Sequence, residues 1–352
     1  MKCGMIISAL VTATLLMAAC TIDPPLHLRQ SMDVVVKVLW KAEVHPDGIK
    51  PDGMSLFFFR NGDFYLQHTT ADVDSCSVPL EPGKYRIFMI SLSPDEYGGM
   101  HFFDMHDFDN AYVQLADTWS DWYHPAEGET LVKEPELMTV GVSDEFEISE
   151  EMIQEWLKNN PGFATPGTDV NIFTVTVPVY PRNVVSMLWA TIYSDNADVL
   201  KAVRASITGM ARNFLLTQDR TGDQEGTQLL ENWSLTIVNP EARIGHLDCK
   251  VNTFGLPRGE MPSPLREPTL NLATLLIDNA TVDQYTFFVG DKFRLEEPIP
   301  LGYRLLYHLI IGTEFEPAMH PPDVKPADQG GESGFAADVE DWEEGDILDI
   351  MM

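Results

Sequence analysis

Short apolar runs that stop at turn dipeptides set the strongest limit on what this chain can fold into. Met54 to Arg60 is an apolar, aromatic-rich run that ends at Asn61-Gly62. Asn-Gly is a strong hairpin signal, because both residues tolerate the positive φ that a tight turn between twisted strands requires. Phe64, Leu66 and the residues after them supply the partner strand. Upstream, Val34, Val36 and Val38 alternate with Val35, Lys37 and Leu39, which predicts a strand with both faces largely covered, ending at His45-Pro46-Asp47-Gly48. Lys84 to Ser91 follows the turn Leu80-Glu81-Pro82-Gly83. Pro82-Gly83 fits a type II turn, Pro fixing φ at the first central position and Gly supplying positive φ at the second. In the strand that follows, Tyr85, Ile87 and Met89 share one face, and Arg86, Phe88 and Ile90 the other. Closely spaced short strands punctuated by Gly, Pro and Asp favour a sandwich or barrel.

The same style governs the second half. Asn171 to Tyr180 and Val184 to Tyr193 read as strands joined by Pro181-Arg182-Asn183, followed by Asn232 to Val238, Leu247 to Phe254, Thr269 to Ile277, Tyr285 to Val289 and Tyr303 to Ile311. Gly209 interrupts an apolar-alternating run and marks a bulge or a close backbone approach, while Asp198 to Ala205 is open to a helical reading as well. One helix stands out, Glu150 to Asn159. Ser149 offers an N-cap, Glu150 and Glu151 suit the positive end of the dipole, and Met152/Trp156 and Ile153/Leu157 are i,i+4 pairs on one face. Asn160-Pro161-Gly162 stops it, and the polar stretch from Gly162 to Asp169 makes a natural boundary. Single cores rarely grow past about 250 residues, so 352 residues predict two all-β domains, 31–165 and 166–352. The second ends in an acidic C-terminal strand after a Pro- and Gly-bearing connection from Glu316 to Gly334.

The first twenty residues carry a different message. Lys2, the apolar run Met5 to Met17, and then Ala18-Ala19-Cys20 read as a bacterial lipoprotein export signal over residues 1–19. Cys20 is then the lipidated N-terminus, and residues 20–30, with Pro24-Pro25, form a tether. Several acyl chains give stable anchoring where one does not, at about 0.8 kcal/mol per buried CH₂. No later apolar run approaches the roughly 18 residues of a membrane-spanning helix. With 54 Asp and Glu against 23 Lys and Arg, the net charge of -31 argues against nucleic acid as a partner, because that binding rests on cationic contacts to phosphate. Cys76 and Cys249 are separated by most of the chain and read as two buried, inert thiols, with no C-x-x-C spacing for zinc or redox chemistry.

Four patterns together resemble the fimbrillin superfamily: the lipobox ending at Cys20, the turn and strand around Leu80-Glu81-Pro82-Gly83-Lys84-Tyr85, the segment Ala205-Ser206-Ile207-Thr208-Gly209-Met210-Ala211, and the closing Val339-Glu340-Asp341-Trp342. Within it the chain is similar to lipoproteins related to the anchor and minor subunits of type V pili in Bacteroides-type bacteria. The resemblance implies two transthyretin-like, Greek-key β-sandwich domains with one short helix near their boundary. It also implies an outer-membrane, lipid-anchored protein, at the cell surface or on the periplasmic face, that acts as an anchor or accessory subunit in fimbria assembly or adhesion. Fimbrial subunits are the implied partners, joined by β-strand addition, and the resemblance supplies no catalytic residue. Polymerising subunits of that family are cleaved after an Arg. Cleavage at Arg29 here would discard the lipid on Cys20, so a permanent anchor keeps residues 20–29. Val339 to Met352, bearing Trp342, Ile347 and Ile350 among acids, either completes the second domain, the favoured reading, or docks elsewhere.

Two clusters invite a site. Asp104-Met105-His106-Asp107-Phe108-Asp109-Asn110, near His101, offers oxygen and imidazole ligands that calcium accepts, but it lacks EF-hand spacing and reads rather as a solvated acidic loop. Trp119, Trp122 and Tyr123 form an aromatic patch in the polar segment Asp117 to His124. Exposed, they would stack on sugar rings and make the chain a surface glycan-binding lipoprotein; the plainer reading has them packing at the domain edge. No nucleophile elbow, zincin motif, P-loop or dinucleotide turn is present, and the sequence calls for no enzyme activity, cofactor or metal. Metabolic labelling with a fatty-acid analogue is expected to mark the wild-type protein and to leave a Cys20→Ala variant unmarked; equal labelling of both would contradict lipidation.

Overall fold

The computed structural model describes residues 32–41, 44, 49–159, 174–259, 268–296 and 302–327. Cys20, the 20–30 tether, Arg29, the 160–173 boundary stretch and Val339 to Met352 with Trp342 lie outside the described residues. The chain is all-β, built as packed sheets with one α-helix among the described residues, Glu150–Asn159, where the sequence puts it. The Ser149 hydroxyl accepts from the Met152 N–H at 3.2 Å, and Ile153 buries its side chain beneath the helix.

The structure is organised by a six-stranded sheet in the order Arg182–Asn183, Thr139–Val142, Gly83–Ser91, Met54–Arg60, Asp63–Thr70, with Phe146–Ile148 also on Gly83–Ser91. Its centre is buried on both faces. Met54, Leu56, Phe58, Tyr85, Ile87 and Met89 point to one side and enter a core shared with Val34, Val36 and Val38. Phe57, Phe59, Phe88 and Ile90 point to the other. Asn61 and Gly62 close the hairpin with φ of 55° and 96°, the left-handed pair that the sequence signal demands.

The first core lies between this sheet and a three-stranded one, Thr174–Val179, Met32–Val38, Ser75–Leu80. The expectation that Met32–Val38 is covered on both faces is corrected. Val34, Val36 and Val38 are buried, but Lys37 and Leu39 face solvent, because no described residue packs on the outside of the three-stranded sheet at these positions. The type II turn at Pro82-Gly83 is corrected too. Gly83 does not have positive φ. Its missing side chain serves a close approach, since a Cβ there would lie 2.8 Å from Arg60 Nε. Arg60 crosses that spot to donate to the Pro82 carbonyl from Nε at 3.0 Å.

A second sandwich pairs two five-stranded sheets. One has the order Ser234–Asn239, Ile244–Thr253, Ser186–Ser194, Leu306–Ile311, Phe293–Glu296; the other runs Val282–Phe288, Thr269–Leu276, Leu200–Ala211, Glu225–Leu230, Leu131–Val132. The stretch open to helix is a short 3-10 turn, Ala197–Val199, followed by strand. At Gly209, φ is 71° and the ladder to Glu225–Leu230 shifts register between Ile207 and Met210, which is the expected bulge.

Between the sandwiches lies a four-stranded sheet, Arg220–Thr221, Asn213–Leu215, Tyr112–Leu115, Met100–Phe103, drawn from both halves of the chain. Phe214 pairs with Val113 across it. Together with Val184, Val185 and Phe254, these residues pack against the second face of the six-stranded sheet and form a third core. Phe57 and Phe88 are directly opposite on neighbouring strands and stack at 4.8 Å between centroids, and Phe108 meets Phe59 edge-on at 5.3 Å. Aromatic pairs of this kind contribute about 0.5–1.5 kcal/mol beyond area burial. Phe88→Ala is expected to cost about 3–5 kcal/mol in denaturant unfolding, whereas Leu39→Ala on the exposed face should stay within about 0.5 kcal/mol.

Candidate functional site

The loop that follows Tyr112–Leu115 carries the three aromatic residues singled out in the sequence, and the fold separates them. Trp119 is 77% exposed, Tyr123 is 3% exposed, and Trp122 lies between the two. Ser120 shapes the turn: its hydroxyl accepts from the N–H groups of Trp122 at 3.3 Å and Tyr123 at 3.2 Å. Tyr123 then points inward and donates to Glu129 Oε1 at 2.5 Å, and Thr227 donates to the same oxygen. Burial, and next the Glu129 carboxylate, push the Tyr123 hydroxyl pKa up. A three-ring platform is therefore not formed, because Tyr123 is a fixed strut of the loop.

Trp122 is held from behind. Its indole N–H donates to Glu231 Oε1 at 3.0 Å, its ring meets Tyr123 edge-on at 5.8 Å, and the Arg204 guanidinium lies 5.8 Å from the ring centroid. Trp122 also closes a hollow of about 40 Å³ over the outer face of the Val282–Phe288, Thr269–Leu276, Leu200–Ala211 strands, with Asn271, Ala273, Gln284 and Thr286 around it. The sequence places Asn271 and Ala273 on a strand but gives no sign that a loop 150 positions earlier covers them. That juxtaposition comes from the parallel pairing of Leu131 with Thr227, which pulls the loop across the sheet.

The acidic loop is consumed by its own contacts. Asp107 accepts from the Asn110 amide at 2.8 Å and from the Asp109 N–H at 3.1 Å, and these bonds, the Asn110 amide first, hold its carboxyl below the usual range. His106 stacks on Phe64 at 3.9 Å, Phe108 is buried in the third core, and Asp109 lies 3.4 Å from Arg86. Among the described residues, no three His, Cys, Asp or Glu side chains are arranged to hold a metal ion. Cys76 and Cys249 are free and buried, each in a different sandwich, and burial pushes both thiols up to about 12.

The sheet edges differ in protection. Ser234–Asn239 is an edge strand exposed on both faces for nearly all its length, carries no charge or proline, and presents Leu235, Ile237 and Val238 at 38%, 38% and 39% exposure. At the opposite edge of the same sheet, Phe293–Glu296 carries Arg294 and Glu296. Charges and prolines are the ordinary means of blunting an edge, and Ser234–Asn239 has neither.

A crystal structure from Bacteroides ovatus, described as a "putative adhesin", superposes with a TM-score of 0.51 at 13% identity, over 84% of this chain and 94% of its own. At that identity the likeness is one of fold. The fimbrial anchor protein Mfa2 from Porphyromonas gingivalis superposes with a TM-score of 0.43 at 12% identity, over 74% of this chain and 83% of that one. Comparison with curated proteins gave no match. Residues 26–231 match the family described as a domain of unknown function, DUF5119. The chain belongs to that family.

The buried thiols and tyrosines fix how stability responds to alkali. An unfolded chain loses thiol protons from about pH 8.5 and phenol protons from about pH 10, whereas the folded chain holds Cys76, Cys249 and Tyr85 protonated up to about 12. The folded state thus binds more protons in this window. Each group's contribution is intact below its unfolded pKa and falls by about 1.4 kcal/mol per pH unit above it. Melting temperature should drop steadily from pH 8 to pH 11, and in a Cys76→Ala, Cys249→Ala variant the onset should move to about pH 10. A melting temperature constant over this range would contradict the assignment.

Proposed function

We propose that this chain is a cell-envelope lipoprotein, anchored in the outer membrane by acylation of Cys20, that serves as an anchor or accessory subunit of a fimbria and joins its partner by β-strand addition. The observation that carries the reading is the Ser234–Asn239 strand, whose outer edge is uncharged, apolar and unpaired among the described residues, a template for another chain's extended segment. In strand addition, main-chain hydrogen bonds provide the affinity and alternate side chains the specificity. The fold shared with the Bacteroides ovatus protein described as a "putative adhesin" supports an adhesive role. The lipobox supplies the tether: residues 20–30 link the acylated cysteine to the first strand at Met32 and keep the folded part close to the membrane.

Deleting the gene in the source strain is expected to release fimbriae into the medium, and Cys20→Ala is expected to reproduce that release. Ile237→Pro should remove the edge without removing the anchor, leaving a lipidated protein that no longer co-purifies with fimbrial subunits. Fimbriae that remain attached in equal number in the deletion strain would refute the role.

A further inference from the structure

The outer face of the sheet under Trp122 is organised in rows. In the strands Leu200–Ala211, Thr269–Leu276 and Val282–Phe288, the residues Ala205, Ile207, Leu270 and Leu272 enter the core. Their neighbours therefore point outward. Ser206 pairs with Asn271 and Asn271 with Thr286; in the next row Arg204 pairs with Ala273 and Ala273 with Gln284. The small side chain of Ala273 leaves a dip between longer ones, and Trp122 roofs its side. Arg204 flanks the dip and lies toward the indole ring, while the side-chain amides at the dip are neutral and underused. Asn271 Oδ1 accepts from the Thr286 hydroxyl at 3.0 Å, but among the described residues no partner engages the Asn271 amide nitrogen or the Gln284 amide. The Ser206 hydroxyl is fully buried at the floor, against the Tyr123 hydroxyl.

We infer that this hollow binds one neutral sugar residue, at the end of a glycan or projecting from it. An indole flanked by amide and hydroxyl groups matches a sugar, which has an apolar C–H face and a rim of hydroxyls that both donate and accept. The surroundings select against charge. Glu231 holds the indole N–H, the Arg204 guanidinium is drawn toward the same ring, and an anionic sugar would meet the field of a chain of net charge -31. The size sets the mode: about 40 Å³ exceeds what one water needs but admits only the edge of a ring, so a single residue docks rather than a chain lying along a groove. Of the three aromatic residues legible in the sequence, Trp122 and Tyr123 line this site and Trp119 does not. The inference is independent of fimbrial anchoring.

The test uses the mature full-length protein on an array of neutral oligosaccharides ending in galactose, glucose, mannose, fucose or N-acetylglucosamine, with sialylated counterparts. Retention is expected on at least one neutral terminus and on none of the sialylated ones. Ala273→Leu, which fills the dip on a solvent-facing position, should abolish retention, and Gln284→Ala should weaken it at least tenfold. Both variants should keep the wild-type melting temperature, and Trp119→Ala should bind within twofold of wild type. Failure of the wild-type protein to bind any neutral terminus, a preference for sialylated ones, or unchanged binding by Ala273→Leu would each overturn the inference.

Discussion

The contact on which the rest of the structure depends is the burial of the six-stranded sheet on both of its faces. A sheet that closes one sandwich ordinarily leaves its other face to solvent. Here Phe57, Phe59 and Phe88 make that other face apolar, and it must be covered. The cover is the four-stranded sheet, whose strands Tyr112–Leu115 and Asn213–Leu215 come from opposite halves of the sequence. One aromatic face therefore forces the two sandwiches together. Salt bridges and side-chain amides then lock the seam: Asp219 receives both Arg182 and Arg304, and Asn252 donates its side-chain amide to the Pro135 carbonyl at 3.1 Å. A charge pair on an exposed surface contributes little by itself. Beside an apolar core of this size, its role is orientation.

Where period and turn chemistry agree over seven or more residues, the fold is legible in the sequence. Met54–Arg60 with Asn61-Gly62, the helix Glu150–Asn159 with Ser149, and the bulge at Gly209 each follow from local signals that the tertiary structure does not override. Met100–Phe103, Leu131–Val132, Asn213–Leu215 and Arg220–Thr221 are too short to show a period, and the pairings that place them, Phe214 with Val113 and Thr227 with Leu131, join strands far apart in the chain. Their strand character is a product of pairing, not its cause. Gly83 illustrates a subtler limit. A glycine after proline has a familiar turn meaning, but here its function is to let the Arg60 side chain pass, and nothing local encodes Arg60's path.

The candidate site divides the same way. That Trp122 sits in an aromatic patch is visible in the sequence, and so is the strand that bears Asn271 and Ala273. Their meeting is not, because it depends on the parallel pairing of Leu131 with Thr227 and on Glu129, which takes hydrogen bonds from both Tyr123 and Thr227. Tyr123 is the most misleading residue in the segment. Its neighbours are polar, yet the carboxylate partner needed to bury its hydroxyl lies six positions on, at Glu129. A tyrosine can enter a core when its hydroxyl has such a partner, and composition alone does not reveal one.

With the middle of the molecule sealed, the surfaces left for association are peripheral. The third core consumes one face of the six-stranded sheet and joins both halves, so a partner that inserted there would have to displace Phe88, Phe214 and Phe254 together, at several kcal/mol each. Addition at an outer edge displaces none of the described residues. Ser234–Asn239 offers such an edge, and the hollow beneath Trp122 belongs to the other sheet of the same sandwich, on a face that edge pairing leaves uncovered. Both can be occupied at once. The Ile244–Thr253 and Ser186–Ser194 ladders join this edge to the core of its own sandwich, through Leu247, Cys249, Val251, Leu188 and Ile192.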